Sequence, residues 1–252
     1  MKMKMLSVII AFFMLLESCA TTVETTAIKR QTEISIDGQL QDWDGKLSPT
    51  NRFDTQLGFQ FDDEFLYLCL VVPDRTHQMQ MMVAGFSVWF DPSGGKNRRF
   101  GIRCPIGHQE DIRLVRSFGN DREARSFLDR IQSELSVTLE GGEPTQLNIL
   151  ETKEIQIRLA QSALGLVYEL RVPLRRSAQH PYAIGFDSSA SLGVGVQSYE
   201  ILSQSVGAGQ SSRPTGGGRG GRGGGSGALS GGVDTPDRPK MLDIWTRVSF
   251  PK

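Results

Sequence analysis

The stretch LGFQFDDEFLYLCLVV, residues 57–72, decides the fold class of this chain. Its first part places apolar Leu57, Phe59 and Phe61 at alternate positions, which is the pattern of a strand with one buried face. The acidic residues 62–64 predict a turn, and residues 65–72 are apolar at every position. A short run that is apolar on both faces is typical of a strand covered on both sides. We therefore predict a hairpin whose second strand lies inside a sheet.

Strand-like segments recur along the rest of the chain. A half-exposed strand is predicted around residues 166–172, and others at residues 85–91, 99–106, 111–118, 146–150, 154–159, 182–186, 193–202 and 241–250. One helix interrupts them: Asn120 and Glu123 can form a capping box, and apolar residues follow at helical spacing through Leu135. About ten short strands with one inserted helix predict an all-β fold, a jelly-roll-like sandwich of two sheets.

The first nineteen residues predict the location of the protein. Lys2 and Lys4 precede an apolar run, residues 6–16, and Leu16-Glu17-Ser18-Cys19 closes it. This arrangement resembles a bacterial lipoprotein signal, which implies cleavage after residue 18 and acylation (palmitate) of Cys19. The alternatives are a plain cleaved signal or a membrane span, but the run has about half of the roughly 20 residues a span needs. Because Ala20 follows the cysteine, we expect an anchor in the outer membrane, facing the periplasm or the surface.

Residues 19–32 are predicted to be the lipidated cysteine and a polar tether, and residues 33–252 the sandwich domain. Residues 207–232 are half glycine and are predicted to be a disordered loop inside that domain. The Gly-Gly-Arg run of this loop is similar to RNA-binding segments, but it offers no aromatic side chain to stack a base. The chain also has equal numbers of basic and acidic residues, 28 of each. We therefore expect no nucleic-acid partner.

Five short motifs follow one another in a distinctive order. They are Ile36-Asp37-Gly38-x-Leu40-x-x-Trp43, Asp62-Asp63-x-Phe65-Leu66-Tyr67-Leu68, Val88-Trp89-Phe90-Asp91-Pro92, Tyr168-Glu169-Leu170-x-Val172-Pro173-Leu174 and Ile184-Gly185-Phe186. In this order they resemble the family-9 carbohydrate-binding modules and the related DOMON-like sandwiches, over residues 34–186. The whole chain is similar to bacterial lipoproteins of this type with a Gly/Arg-rich insert. The resemblance implies a β-sandwich, and in its sugar-binding members a ring held between aromatic faces.

Two tryptophans are the candidate stacking residues. In residues 86–91 the core face takes the alternate apolar positions, so Trp89 points the other way together with Asp91. In residues 242–250 the same alternation leaves Trp245 with Asp243 and Arg247. These five residues are the predicted ligand-binding site. The alternative is that both indoles pack under the helix or the Gly-rich loop. The resemblance implies a structural role for Trp43.

Other chemistry has weaker support. We predict no catalytic residue, no metal site and no cofactor; calcium at Asp62, Asp63 and Glu64 is an open alternative, and haem is disfavoured. His77, Met79 and Met81 lie in a Met-rich segment interpreted as a strand, where ligands on one face suit a haem poorly, and copper there has equally little support. The histidines lie far from any nucleophile motif. Such a strand is more typical of core packing.

Two cysteines remain after lipidation, Cys69 and Cys104, and both lie in apolar runs. Two interpretations stay open: a pair of buried free thiols, or a disulfide between neighbouring strands.

These features predict a membrane-anchored, extracytoplasmic, non-catalytic binding protein whose ligand is a glycan. The rival is an envelope structural or assembly lipoprotein that binds a protein partner, and a minor alternative is a b-type haem-binding DOMON-like domain. An exposed aromatic pair beside hydrogen-bonding groups would indicate the sugar binder. An apolar patch or an open strand edge would indicate the assembly factor.

Overall fold

The computed structural model describes residues 23–111, 121–187, 191–201 and 240–251. The predicted signal peptide, Cys19, most of the predicted strand 111–118 and the predicted Gly-rich loop lie outside these residues. The chain divides into two compact units, residues 1–201 with 241–252, and residues 202–240. The elements below belong to the first unit.

The described residues form thirteen strands and two α-helices. The strands are β1 (Val23–Thr26), β2 (Ile28–Lys29), β3 (Ser48–Pro49), β4 (Gln56–Phe61), β5 (Phe65–Val72), β6 (Phe86–Asp91), β7 (Phe100–Arg103), β8 (Glu134–Leu139), β9 (Thr145–Asn148), β10 (Gln156–Ser162), β11 (Gly165–Pro173), β12 (Leu192–Ser198) and β13 (Asp243–Ser249). The helices are α1 (Arg75–Ala84) and α2 (Asp121–Ile131), and short 3-10 helices lie at Gln41–Trp43 and Gln109–Asp111.

These strands form two sheets, so the predicted all-β sandwich is confirmed. One sheet has seven strands in the order β1-β13-β12-β6-β7-β8-β9. The other has six, in the order β10-β11-β5-β4-β2, with β3 paired to β4. The contacts of β1 with β13 and of β2 with β4 are parallel, and every other pairing of the described strands is antiparallel.

The predicted hairpin is the centre of the six-stranded sheet. β4 and β5 pair antiparallel, and Asp62 closes the turn because its Oδ1 accepts hydrogen bonds from the backbone N–H groups of Glu64 (2.8 Å) and Phe65 (2.7 Å). Every residue of β5 is buried. One face lies in the main core between the sheets, where Phe86 of β6 meets Tyr168 of β11 with ring centroids 4.7 Å apart.

The other face of β5 is covered by the segment that precedes β3. Residues 34–47 cross the outer surface of the six-stranded sheet, and Ile34 and Trp43 pack there against Tyr67, Cys69 and Val71. This second small core explains why the alternation of β4 gives way to a fully apolar β5.

The Met-rich segment is a helix, so its interpretation as a strand is wrong. Asp74 caps α1 by accepting a hydrogen bond from the backbone N–H of His77 (2.9 Å), and Gly85, with φ of 79°, follows its last residue. Met81 is fully buried in the main core. The apolar residues of α1 fit a strand pattern and a helix pattern equally well over so short a segment.

Part of the predicted tether belongs to the sandwich. Residues 23–26 form β1 beside β13, and residues 28–29 form β2 beside β4, so the tether interpretation is wrong for residues 23–29. β1 alternates half-buried and exposed side chains, and both residues of β2 are exposed. Strands with so little burial lack the apolar alternation that reveals a strand in a sequence.

Two further boundaries differ from prediction. The predicted inserted helix exists as α2, but it ends at Ile131, and Leu135 lies in β8. Residues 182–186, predicted as a strand, form none. Among the described residues, no helix is both long enough and apolar enough to span a bilayer.

Candidate functional site

Trp89 and Trp245 lie on the outer face of the seven-stranded sheet, opposite the core. Gly195 of β12 is in register with Trp89 on one side and with Trp245 on the other, and Trp89 is in register with Gly101 of β7. Tryptophan and glycine therefore alternate across four neighbouring strands. The backbones of the two tryptophans are two strand spacings apart, which is about 10 Å.

Each indole rests on the glycine beside it. A methyl group on Gly195 would lie 2.7 Å from Cε2 and Cζ2 of Trp245, and one on Gly101 would overlap the six-membered ring of Trp89. Side chains larger than glycine would push the rings off the sheet. Both tryptophans are half-buried in this position, so each still presents part of its ring to solvent. We name this surface the tryptophan row: Trp89, Gly101, Gly195 and Trp245.

Polar side chains border the tryptophan row. The guanidinium carbon of Arg98 lies 5.8 Å from the centroid of the Trp89 ring, a cation–π distance. Arg247 donates from Nε to the carbonyl oxygen of Gly94 (3.0 Å), and exposed Asp243 is in register with Gln197. Nε1 of Trp89 is buried and has no hydrogen-bond partner among the described residues. The row thus combines aromatic surface with donors and acceptors at its border, as small-molecule sites do.

Asp91, predicted as a ligand-binding residue, is not part of this surface. It is fully buried, and its carboxylate accepts backbone hydrogen bonds from Ser93 (3.0 Å) and Asn97 (2.8 Å). Nε of Arg99 lies 3.5 Å from the same carboxylate. Asp91 therefore holds the loop after β6 in place.

Two features of the site were missed from the sequence. Arg98 lies in a loop, where no periodicity predicts direction. The role of Gly195 depends on its register with Trp245, 50 residues later in the chain, and with Trp89, 106 residues earlier. A second cluster borders the same face: Oγ of Ser87 and the Tyr199 hydroxyl are 2.7 Å apart, and Arg103 lies 4.1 Å over the Tyr199 ring.

The motif residues around Trp43 form a structural network on the other sheet. Nε1 of Trp43 donates to Oε1 of Glu169 (2.6 Å), and the backbone N–H groups of Asp37 (2.9 Å) and Gly38 (2.6 Å) donate to Oε2. Both Trp43 and Glu169 are buried. Burial raises the pKa of Glu169, and the hydrogen bonds from Gly38 and Trp43 only partly oppose that effect. Trp43 thus has the structural role that the resemblance implies.

The histidines and the acidic turn are engaged with neighbouring side chains. His77 contacts Asp74 (Nδ1 to Oδ1, 2.7 Å), His180 contacts Glu64 (2.7 Å) and His108 lies 3.5 Å from Glu110. Asp62, proposed as a calcium ligand, uses both carboxylate oxygens on Arg30, Tyr67 and its own turn. Among the described residues, no group of three or more His, Cys, Asp or Glu side chains is placed to hold a metal ion.

The two cysteines are free and buried, which decides between the two interpretations in favour of thiols. Cys69 lies in the small core under residues 34–47, whereas Cys104 lies in the main core between the sheets. Burial raises the pKa of both thiols, that of Cys104 to about 12.

No protein-family model matches this chain, and no curated protein matches it in sequence. Solved structures similar to it include a family-9 carbohydrate-binding module from Caldicellulosiruptor kristjanssonii with glucose (13% identity, 71% of this chain and 78% of that one, TM-score 0.34). The same module with cellotriose gives 14% identity, 71% and 77% coverage and a TM-score of 0.33. A candidate carbohydrate-binding protein from Bacteroides uniformis has 9% identity, covers 92% of this chain and 100% of its own, and has a TM-score of 0.44. Similarities at this level assign no function to the chain.

Proposed function

We propose that this protein is a lipid-anchored, non-catalytic carbohydrate-binding protein of the bacterial cell envelope, and that the tryptophan row is its binding surface. The observation that carries the proposal is the row itself: two partly exposed tryptophans on one sheet face, each lying on a glycine. Most large aromatic side chains are buried in the core, as Phe86, Phe90 and Phe100 are here.

The mechanism is stacking with hydrogen bonds at the border. The apolar face of a pyranose ring packs on the exposed indole surface, and the hydroxyl groups at the ring edge meet polar side chains. Arg98, Gln197, Asp243 and Arg247 are the candidates for those contacts. Because β-sheet backbone holds both indoles, little ordering is needed when a ligand binds. Binding of this kind makes and breaks no covalent bond.

Tryptophan fluorescence tests the proposal directly. The chain from residue 19 with Cys19→Ser is titrated with cell-wall and plant oligosaccharides, beside its Trp89→Ala and Trp245→Ala variants. We expect a saturable change that either alanine variant abolishes, while Trp245→Phe keeps part of the affinity because a ring remains. Buried Trp43 serves as the internal reference. A flat response across the panel would contradict the proposal and favour a search for an envelope protein partner by cross-linking.

The anchor is a separate part of the proposal and has its own test. Full-length protein produced in a bacterium is fractionated, and the N-terminal peptide is analysed by mass spectrometry. We expect an acylated Cys19 in the outer-membrane fraction and its loss from membranes in Cys19→Ala. An unmodified peptide beginning at another residue would exclude lipidation.

A further inference from the structure

A concave surface lies on the opposite sheet from the tryptophan row. It is an open cleft of about 1210 Å³ on the outer side of the six-stranded sheet. Residues 30–36 form one wall and residues 149–158 the other, and Phe65, Tyr67 and Arg171 line it between them. The volume of the cleft exceeds the roughly 300–1,000 Å³ of ordinary small-molecule pockets, so the cleft admits an extended ligand.

Most acidic side chains in the cleft contact a basic side chain. Four of its acidic side chains have a basic neighbour: Asp62 with Arg30 (2.6 Å), Asp63 with Lys29 (3.4 Å), Glu64 with His180 (2.7 Å) and Asp129 with Arg158 (3.0 Å). Glu33, on one wall, is exposed. Arg171 is the exception among the basic side chains, because the described residues give it no carboxylate and no hydrogen-bond acceptor.

Arg171 is nevertheless held in place. Its guanidinium carbon lies 3.7 Å from the centroid of the Phe65 ring, and its Nε is buried without a partner among the described residues. A partly buried guanidinium costs free energy when it is unpaired. Its planar fork matches a carboxylate, which can accept two parallel hydrogen bonds from it.

The neighbours of Arg171 prevent it from finding a partner within the protein. Asp62, a motif carboxylate in the cleft, accepts hydrogen bonds from Nε of Arg30 (2.6 Å) and from the Tyr67 hydroxyl (3.1 Å). Burial and the Asp62 charge raise the pKa of Tyr67 to about 12, so its hydroxyl stays a donor. The cleft therefore keeps one cation free for a ligand.

The cleft border is apolar on one side. Leu150 is 85% exposed and lies beside half-buried Ile149, and both line the cleft. An apolar group that accompanies the carboxylate can pack there, and this favours a peptide terminus over a sugar acid, whose ring is covered with hydroxyl groups.

We propose that this cleft binds the C-terminal carboxylate of a peptide that ends in an apolar residue, with Arg171 as the carboxylate-binding side chain and Leu150 as the apolar contact. This site is independent of the proposed carbohydrate site: it lies on the other sheet and takes a different ligand. Failure of one proposal therefore leaves the other unaffected.

NMR titration of the Cys19→Ser chain tests it, with the Nε–Hε resonance of Arg171 as reporter. The probes are acetyl-Ala-Leu with a free carboxylate, the same peptide as its C-terminal amide, and galacturonate. We expect the free acid to shift the Arg171 resonance and to bind at least tenfold more tightly than the amide or galacturonate. Equal binding of acid and amide, preference for galacturonate, or no binding of the acid would each overturn the proposal.

Variants separate the role of Arg171 from general charge. Arg171→Gln should lower the affinity for the free-acid peptide at least tenfold, and Leu150→Ser should lower it at least threefold. Arg158→Gln removes the same charge from the same cleft but from a side chain already paired with Asp129, so it should retain affinity within threefold. An Arg158→Gln loss equal to that of Arg171→Gln would overturn the assignment. Thermal unfolding confirms that each variant is folded, and Arg171→Lys, which keeps the charge and the stem, replaces Arg171→Gln if it is not.

Discussion

Nε1 of Trp43 donates a 2.6 Å hydrogen bond to Oε1 of Glu169, a residue 126 positions further along the chain. The same carboxylate accepts from the backbone of Asp37 and Gly38 through its other oxygen. Glu169 therefore fastens residues 34–47 onto the outer side of the six-stranded sheet. Two of the sequence motifs therefore meet at this one buried carboxylate.

Glu169→Gln tests the importance of this bond. Glutamine offers one acceptor oxygen, and its amide N–H groups would face N–H donors, so at least one buried donor loses its partner. We expect the free energy of unfolding to fall by about 2–4 kcal/mol in denaturant titrations. Glu33→Gln, at an exposed residue, is the control and should change stability by less than about 0.5 kcal/mol. Unchanged stability in Glu169→Gln would show that the carboxylate is dispensable.

The loss of stability caused by Asp62→Asn should depend on pH in a specific way. Burial opposes ionisation of Asp62, but hydrogen bonds from the backbone of Phe65 and Glu64 and from Arg30 outweigh it, so its pKa lies below the ordinary 3.8. A pKa lower in the folded state stabilises the protein above the unfolded value, and this contribution disappears as the pH falls from about 3.8 through the folded pKa. The stability gap between wild type and Asp62→Asn should therefore be largest near neutral pH and shrink below it.

Urea unfolding at a series of pH values measures this gap. The contribution of Asp74, whose pKa is also lowered, cancels because both proteins contain it. Asp63→Asn is the matched control, since that carboxylate is exposed and its contact with Lys29 is 3.4 Å long. A gap that stays constant down to the lowest pH would contradict the role of Asp62.

Gly195→Ala should damage the tryptophan row without touching a tryptophan. The new methyl group would lie 2.7 Å from two atoms of Trp245, so the indole must leave the sheet surface. We expect a loss of about 1–3 kcal/mol of stability, a shifted tryptophan emission and loss of any glycan response. Gly142→Ala is the control, because its methyl group would come no closer than 3.4 Å to another atom. An unaltered emission spectrum would mean that Trp245 does not rest on Gly195.

Thiol titration tests the state of the cysteines. In the Cys19→Ser chain, Cys69 and Cys104 are buried free thiols with raised pKa values, so neither should react with a thiol reagent in the native protein. Both should react once guanidinium unfolds the chain, with no reductant added. No reaction in guanidinium would instead indicate a disulfide.

The face on which each tryptophan of the site lies could be predicted from the alternation of apolar residues in the sequence. This was possible because the period of two is a local property of each strand. In both strands the neighbouring apolar residues occupy the core face, which leaves Trp89 and Trp245 on the other face. The pairing that brings them onto neighbouring glycines depends on strand register, which the chain determines over long distances. The same limit hid the bond between Trp43 and Glu169.

Other elements escaped prediction for local reasons. α1 has a capping residue, Asp74, but its Met and Gln residues alternate as they would in a strand. β1 and β2 lie at sheet edges and bury too little of their side chains to leave a pattern, and β2 exposes apolar Ile28 as well as Lys29. Leu135 fits the helical spacing of α2, although Leu135, Val137 and Leu139 also alternate as β8 requires.

The pairing of β1 with β13 determines how far a lipid on Cys19 would stand from the domain. Val23 lies in register with Thr246, the residue after Trp245, and four residue steps separate Val23 from Cys19. A fully extended chain of that length reaches about 14 Å. In the proposed lipoprotein the bilayer would thus be a close neighbour of the edge of the sheet that carries Trp245. Such a short tether would confine the domain to a thin layer above the membrane. It would favour ligands displayed on the membrane surface over ligands free in solution.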